Sequence, residues 1–359
     1  MSADLRPVPS PAERLLHVID AFAGRRVLVV ADLVADEFVY GRVQRVSREA
    51  PVLILEYDRT DLCLGGGANA VHNIRSLGGA PIPLGVVGGD AHGRRLTALL
   101  REKKIATSAL LREREYTTPV KTRILAGGVH STKQQMVRID KTTRVGDAIP
   151  ARIVTALRRY KGRLDGILVS DYGFGLVTPE VVAAAAGLAR ARRVPITLDT
   201  RHQLLRFPGV TAVTPNEPEV EAALGVTIGH DRRRLENAGR LLLRRLGVQA
   251  VLITRGSDGM ALFEPGRPPL HIPIYGTDEV ADVTGAGDTV IATFTLALAA
   301  GGSPAEASHL ANYAGGLVVM KRGTATVAAA ELRDAVRTDP DAGVATSAAT
   351  PSRRRGPRR

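Results

Sequence analysis

The sequence predicts an α/β fold: a mostly parallel central sheet flanked by helices, with a small β-rich flap beside it. Three observations carry this. From residue 165 onward short apolar runs alternate with helical periods, the pattern of a sheet covered on both faces. Those runs end in polar residues, Asp171, Asp199, Asn216 and Thr254, where open α/β sheets bind ligands. Two segments, about 37–62 and 117–140, instead mix β-branched residues with charges, as half-exposed strands do.

Residues 1–24 read as an N-terminal extension, a loose start followed by one short helix. "RRVLVVADL" (25–33) is a compact apolar run and predicts a buried strand. The first flap segment follows, and "GGGANAVHNIRSLGG" reads as a glycine-rich turn entering a helix that Gly78 and Gly79 close. "APIPLGVVGGD" predicts a second core strand and "AHGRRLTALLREKK" a helix. "TTPVKTRILAGGVHSTKQQMVRID" reads as the second half of the flap, two β segments joined by a glycine-containing turn. Strands at 165–171, 194–200, 210–215 and 249–256 then alternate with helices at about 178–192, 216–224 and 231–246. The sequence contains no internal repeat, and residues 339–359 read as a disordered basic tail.

Composition narrows the function. The 359 residues hold 37 Gly, 21 Pro and no Trp, and aromatics are 4%, so stacking on bases or sugar rings is not a dominant device. No apolar run reaches membrane-spanning length, the N-terminus lacks a signal-peptide core, and a lone Cys63 fits a reducing cytosol. A cytoplasmic protein is expected. Of the net charge of +13, four units come from residues 340–359; the rest is spread over helices such as "RRRLENAGRLLLRR", the solvated face of an Arg-rich chain. With no zinc knuckle, RNP-like strand or helix-turn-helix, nucleic acid is the weaker partner, and a diffuse positive field suits anionic small molecules.

"DVTGAGDT" (282–289) carries the chemistry. A helix start exposes unpaired N–H groups and the positive end of the helix dipole, and small residues let an anion approach. Asp288 in the first turn faces the same ligand, and the pairing suits phosphoryl transfer, with the carboxylate accepting a proton from the attacking hydroxyl. An ordinary aspartate near pKa 4 would act there by position. Taken alone, the octapeptide also fits a plain helix-capping acid. It is no Walker loop, and "GVVGGD" (85–90) lacks dinucleotide-motif spacing.

Together with "LGGGANAVHNIRSLGG", this stretch resembles the two signatures of the PfkB/ribokinase family of sugar kinases, over about residues 25–338. "YGRVQRVSREAPVLIL", "KQQMVRID", "VSDYGFG" and "LITRGSDGMALF" resemble the branch that phosphorylates D-glycero-D-manno-heptose 7-phosphate at O1. The resemblance implies a ribokinase-like fold with a β-lid, ATP and Mg²⁺, a monovalent cation as a further candidate, and a homodimer paired through the lid. It implies Asp288 as base and Gly285, Ala286 and Gly287 as an anion hole. The acceptor falls to Asp32 or Asp36, then Gly66, Gly67 and Asn69. Asn216 and Glu219, from "TPNEPE", are implied to position magnesium largely through water, although the same pair is a common helix start. Thr254, Gly256, Gly259 and Asn312 are implied to border the nucleotide. Arg138 and Lys133, with Arg45 and Arg48, are candidates for the acceptor's remote phosphate.

Bifunctional members of that branch continue into a nucleotidyltransferase domain, so a kinase without the adenylylation step is expected here. The sequence departs from the branch at Ala31 before Asp32, at "LDTRHQ", where Thr200 and Arg201 replace a Pro–Lys pair, and at Phe174, where lysine is frequent. These changes bear on the substrate. A PfkB kinase for another sugar, sugar phosphate or nucleoside is the alternative; a basic nucleic-acid-associated protein is the non-enzyme one.

Overall fold

The computed structural model describes residues 10–127, 133–276, 282–321 and 323–343. The start of the N-terminal extension, flap residues 128–132 and the tail from 344 onward lie outside them. In chain order the elements are α1 (Pro11–Asp20), β1 (Arg26–Ala31), β2 (Leu33–Val46), β3 (Leu53–Gly66), α2 (Gly67–Ser76), β4 (Ala80–Leu84), β5 (Val86–Gly88) and α3 (Ala91–Glu102). Next come β6 (Leu111–Glu113), β7 (Val120–Gly127), β8 (Gln134–Lys141), α4 (Ala148–Arg159), β9 (Gly166–Asp171), α5 (Pro179–Arg192), β10 (Ile196–Thr200) and β11 (Ala212–Val213). The last are α6 (Glu217–Leu224), α7 (Arg232–Leu246), β12 (Ala250–Thr254), β13 (Met260–Phe263), β14 (Leu270–Ile272), α8 (Ala286–Ala299), α9 (Pro304–Val319) and α10 (Ala329–Thr338).

Eight strands form the main sheet in the order β14-β13-β12-β11-β10-β9-β1-β4. It is parallel from β4 to β12, and β13 and β14 add an antiparallel edge. Side chains alternate across it as a strand's two-residue period requires. Val27, Val29 and Ala31 of β1 pack into the core shared with α1, α2, α8, α9 and α10. Leu28 and Val30 point into the opposite core with α4, α5 and α7. The apolar run after "TGAGD" has its explanation here: α8 is buried nearly all round, from Thr289 to Ala297. No helix among the described residues is long and apolar enough to cross a membrane.

The flap is a separate four-stranded sheet, β3-β2-β7-β8. Its strands start earlier than the sequence pattern implies, because β2 begins at Leu33 directly after β1 ends at Ala31. Asp32 alone separates the two sheets. The expected single core strand at "APIPLGVVGGD" is two: Gly85 breaks it, β4 joins the main sheet, and β5 pairs with β6 apart from it.

Candidate active site

The N-terminus of α8 lies where the main sheet, the flap and α2 converge. Gly285 holds the N-cap position at φ +80 and offers no side-chain cap, so the amides of Gly287 and Asp288 have no partner inside the helix. The Ala286 amide is less free, donating to the Val283 carbonyl at 3.2 Å. A Cβ at Gly285 would stand 2.5 Å from Asn69 Nδ2, so both the left-handed backbone and that close approach call for glycine.

Asp288 is 4% exposed. The Tyr172 hydroxyl donates to its Oδ1 at 2.7 Å and Asn69 Nδ2 donates to its Oδ2 at 3.1 Å. Asn69 also reaches the Gly285 carbonyl at 3.3 Å and takes a bond from Asn73 on its Oδ1, which ties α2 to α8. Burial raises the Asp288 carboxyl from 3.8 to about 6, against the lowering pull of those two donors, with Asp36 adding to the rise and Arg201 opposing it. The ordinary aspartate of the sequence reading is therefore corrected: removal from water makes this one a stronger base near neutrality.

The two acids left open by the sequence have different surroundings. Asp32 Oδ2 accepts from the amides of Tyr172 and Phe174 at 2.9 and 3.2 Å, fixing the loop that carries Tyr172 to Asp288. Burial, then Asp171, raises its carboxyl to about 7. Asp36 lies on the flap, 3.0 Å from Arg123 Nη1 in a buried ion pair. That contact lacks hydrogen-bond geometry: Asp36 Oδ1 and Arg123 Nη1 are both buried without a hydrogen-bond partner. Such orphaned groups are what a polyhydroxylated ligand satisfies. Gly65, not singled out from the sequence, is the glycine that admits this carboxylate, since a Cβ there would stand 2.5 Å from Asp36 Cγ. At Gly66 and Gly67 an added Cβ would meet Val34 and Ala31, so strand and helix packing by itself calls for glycine at both positions.

A cavity of about 210 Å³ opens beside α8, lined by Thr254, Gly256, Gly259, Met260, Val290 and Asn312 among others. Asn312 Nδ2 donates to the Pro273 carbonyl at 2.8 Å. At Gly256 and Gly287, both on the lining, an added Cβ would meet nothing within 4 Å. The pocket is mostly apolar, has room for a planar ring, and is bordered at one side by Ala286 and Gly287 at the α8 N-terminus.

Asn216 and Glu219 form a capping box at the start of α6: Asn216 Oδ1 accepts from the Glu219 amide and Glu219 Oε2 from the Asn216 amide, each at 2.9 Å. Burial raises the Glu219 carboxyl, with Asn216 and Arg201 opposing. It is also one cause, after burial, of the high carboxyl of Asp199, to which Asp288 contributes too. No cluster of three or more ligating His, Cys, Asp or Glu is present among the described residues. Mutually repelling carboxylates without a closed cage fit Mg²⁺, which keeps its waters and binds through one or two acids plus phosphate oxygens.

Arg138 faces Arg123 across β7 and β8, and so stands on the Asp36 side of the flap. It pairs with Asp140 at 2.9 Å, while Lys133 pairs with Asp58 at 2.6 Å. Arg45 and Arg48 lie at the distal end of β2, exposed and away from Asp288. Three residues escaped the sequence reading of the site, Tyr172, Arg123 and Lys121, while Arg201 entered it only as a departure from the branch. Lys121 and Arg123 had a usable signal, two cations two apart in a strand whose other residues are apolar apart from Thr122; both are 8% exposed. Arg201 puts a cation back where the branch has lysine, whereas Phe174 is buried and supplies none.

The chain is similar to known proteins in sequence and in fold. Residues 167–331 match the model of the pfkB family carbohydrate kinases. The chain is 41% identical over 313 residues to the bifunctional protein HldE of Caulobacter sp. (strain K31), which is 87% of this chain and 63% of that protein. It is also 41% identical to the HldE of Geobacter metallireducens, over 85% of this chain and 61% of the relative. The chain thus spans about three fifths of the length of these relatives. In fold it is similar to Arabidopsis thaliana ribokinase complexed with ribose and ATP, with a TM-score of 0.67, 20% identity and coverage of 88% and 100%. Phosphofructokinase-2 from Escherichia coli in complex with potassium superposes with a TM-score of 0.71 at 16% identity, covering 88% and 98%. The chain matches the pfkB family of carbohydrate kinases over residues 167–331, and over 85–87% of its length it is similar to the HldE proteins.

Proposed function

We propose that this chain transfers the γ-phosphoryl group of ATP to a hydroxyl of a sugar phosphate, D-glycero-D-manno-heptose 7-phosphate at O1, giving the 1,7-bisphosphate. The observation that carries the reading is Asp288: a buried carboxylate with raised basicity, held by Tyr172 and Asn69 at an uncapped helix start. It stands between a pocket fitted to a base and the flap face bearing Asp36 and Arg123.

Asp36 and Arg123 hold acceptor hydroxyls, and Asp32 keeps the Tyr172 loop in place. Asp288 accepts the hydroxyl proton as the oxygen bonds to phosphorus, and the bond to the leaving ADP oxygen breaks. The amides of Gly287 and Asp288 face the charge on the transferring group. ATP supplies the activated phosphoryl, and Glu219 with Asn216 is the protein's side of a water-rich Mg²⁺ site. A requirement for ATP supports a cytoplasmic reaction. The exposed apolar side chains of Val137 and Ile139 on β8 support pairing of two flaps in a homodimer, which light scattering measures.

The test is turnover with ATP over a panel of heptose 7-phosphate, fructose 6-phosphate, ribose and adenosine, with ³¹P NMR of the product; K⁺ added to the same assay reads the monovalent cation. Heptose 7-phosphate as the preferred acceptor, phosphorylated at O1, is expected. Preferred turnover of ribose or adenosine would replace the heptose assignment with the alternative kinase.

A further inference from the structure

Lys121 is a buried cation without an anion. It lies on β7, is 8% exposed, and makes no hydrogen bond or ion pair among the described residues. Its ammonium stands 4.7 Å from the centroid of the Tyr172 ring. The Arg201 guanidinium, from the loop after β10, stands 4.2 Å from the same centroid and likewise forms no ion pair among the described residues. Two cations therefore meet over one aromatic ring, and the hydroxyl of that ring is bonded to Asp288. Stacking on a ring returns only part of what an ammonium loses on leaving water. Burial and Arg201 both hold the Lys121 ammonium below the ordinary lysine range, while Asp36, Asp140 and Asp288 pull against them from a distance. An arrangement of this kind is completed by a compact, multiply charged anion.

We propose that Lys121 and Arg201 form a two-cation clamp that takes a substrate phosphate group above the Tyr172 ring, namely the phosphoryl group in transit to the acceptor. The proposal rests on the phosphoryl-transfer reading of Asp288. Its location favours the moving group over the acceptor's own phosphate: both cations gather on the ring that holds the base, whereas Arg138 and Lys133 stand farther out on the flap with carboxylate partners of their own. Lys121 comes from the flap and Arg201 from the end of the main sheet, so the clamp is assembled only when the flap covers the site. Tyr172 beneath it is a positioning residue, giving both cations a seat while the anion is away.

Lys121→Met, Lys121→Arg and Arg201→Met in the full chain test this by two readouts. In thermal unfolding, inorganic phosphate is expected to raise the midpoint of the parent protein. K121M is expected to melt higher than the parent in buffer, having lost an uncompensated charge, and to lose the response to phosphate; K121R keeps the response. In initial-rate assays, K121M and R201M are expected to lower kcat by about 10²-fold on every acceptor the parent turns over. Arg201 is exposed, so R201M carries the test if K121M does not fold. A loss confined to KM for phosphorylated acceptors overturns the proposal in favour of the acceptor's phosphate. Parent-like kcat and phosphate response in both Met variants overturn it outright. A parent protein that turns over no acceptor but keeps a Lys121-dependent phosphate response would sink the kinase reading and leave the anion site standing.

Discussion

Replacing Tyr172 by Phe isolates one hydrogen bond. The ring stays, and with it the seat for Lys121 and Arg201; what disappears is the hydroxyl that donates to Asp288 Oδ1 at 2.7 Å. A hydrogen bond to a charged acceptor contributes about 1.5–3 kcal/mol, and one pKa unit corresponds to about 1.4 kcal/mol, so the Asp288 carboxyl should rise by about one to two units. Starting from about 6, it would reach about 7 to 8. The ionised fraction at pH 7 then falls from about nine tenths to between about a half and a tenth. Because the base must be ionised to accept a proton, a higher pKa moves the acidic limb of kcat/KM to higher pH. The assay is kcat/KM for the sugar phosphate at saturating ATP, from about pH 5 to about pH 9. An acidic limb that stays in place in Y172F, whatever happens to the plateau, would refute the assignment of Asp288 as the titrating base.

Gly65→Ala should drive a methyl group against the Asp36 carboxylate and raise KM for the acceptor at least tenfold while leaving KM for ATP unchanged, as steady-state kinetics would register. Arg123→Met leaves Asp36 buried with its ion-pair partner gone, at a cost of about 3–5 kcal/mol that urea unfolding measures. Asp32, raised from 3.8 in an unfolded chain to about 7, weakens the fold by an amount absent below pH 3.8 and complete above about pH 7, at most about 4 kcal/mol. Asp32→Asn keeps an oxygen for the Tyr172 and Phe174 amides, so its unfolding free energy should fall less between pH 5 and pH 8 than the parent's. Far from the site, Gly239→Ala would place its Cβ 2.4 Å from the Phe263 ring, costing about 1–3 kcal/mol in unfolding with the kinetics intact.

Much of the fold was legible because the main sheet obeys local rules. Apolar runs at 165–171 and 249–256 became β9 and β12, and the helices between them start at side chains that cap, Thr178, Asn216 and Asp231. The flap was harder to delimit, since β2 follows β1 with only Asp32 between them and no turn signal marks the change of sheet. Residues near Asp288 divide the same way. Asp288 itself is announced by the glycines that precede it. Tyr172, Lys121 and Arg201 are separated by tens of residues in sequence and meet only through packing of β7, β9 and β10 around α8. Nor does sequence reveal that Asp288 leaves water, and that burial is what lifts its basicity. Gly66 and Gly67 show the same limit: sequence marks a glycine pair but not the packing against Val34 and Ala31 that requires it.

The most direct measurement compares the parent with Asp288→Asn in two experiments on the same preparations: calorimetric binding of ATP with Mg²⁺, and the rate of phosphate transfer to heptose 7-phosphate. Proton acceptance by a positioned carboxylate predicts a fall in kcat of about 10²- to 10⁴-fold with nucleotide binding within a few-fold of the parent. Transfer at the parent's rate by the amide variant would contradict it.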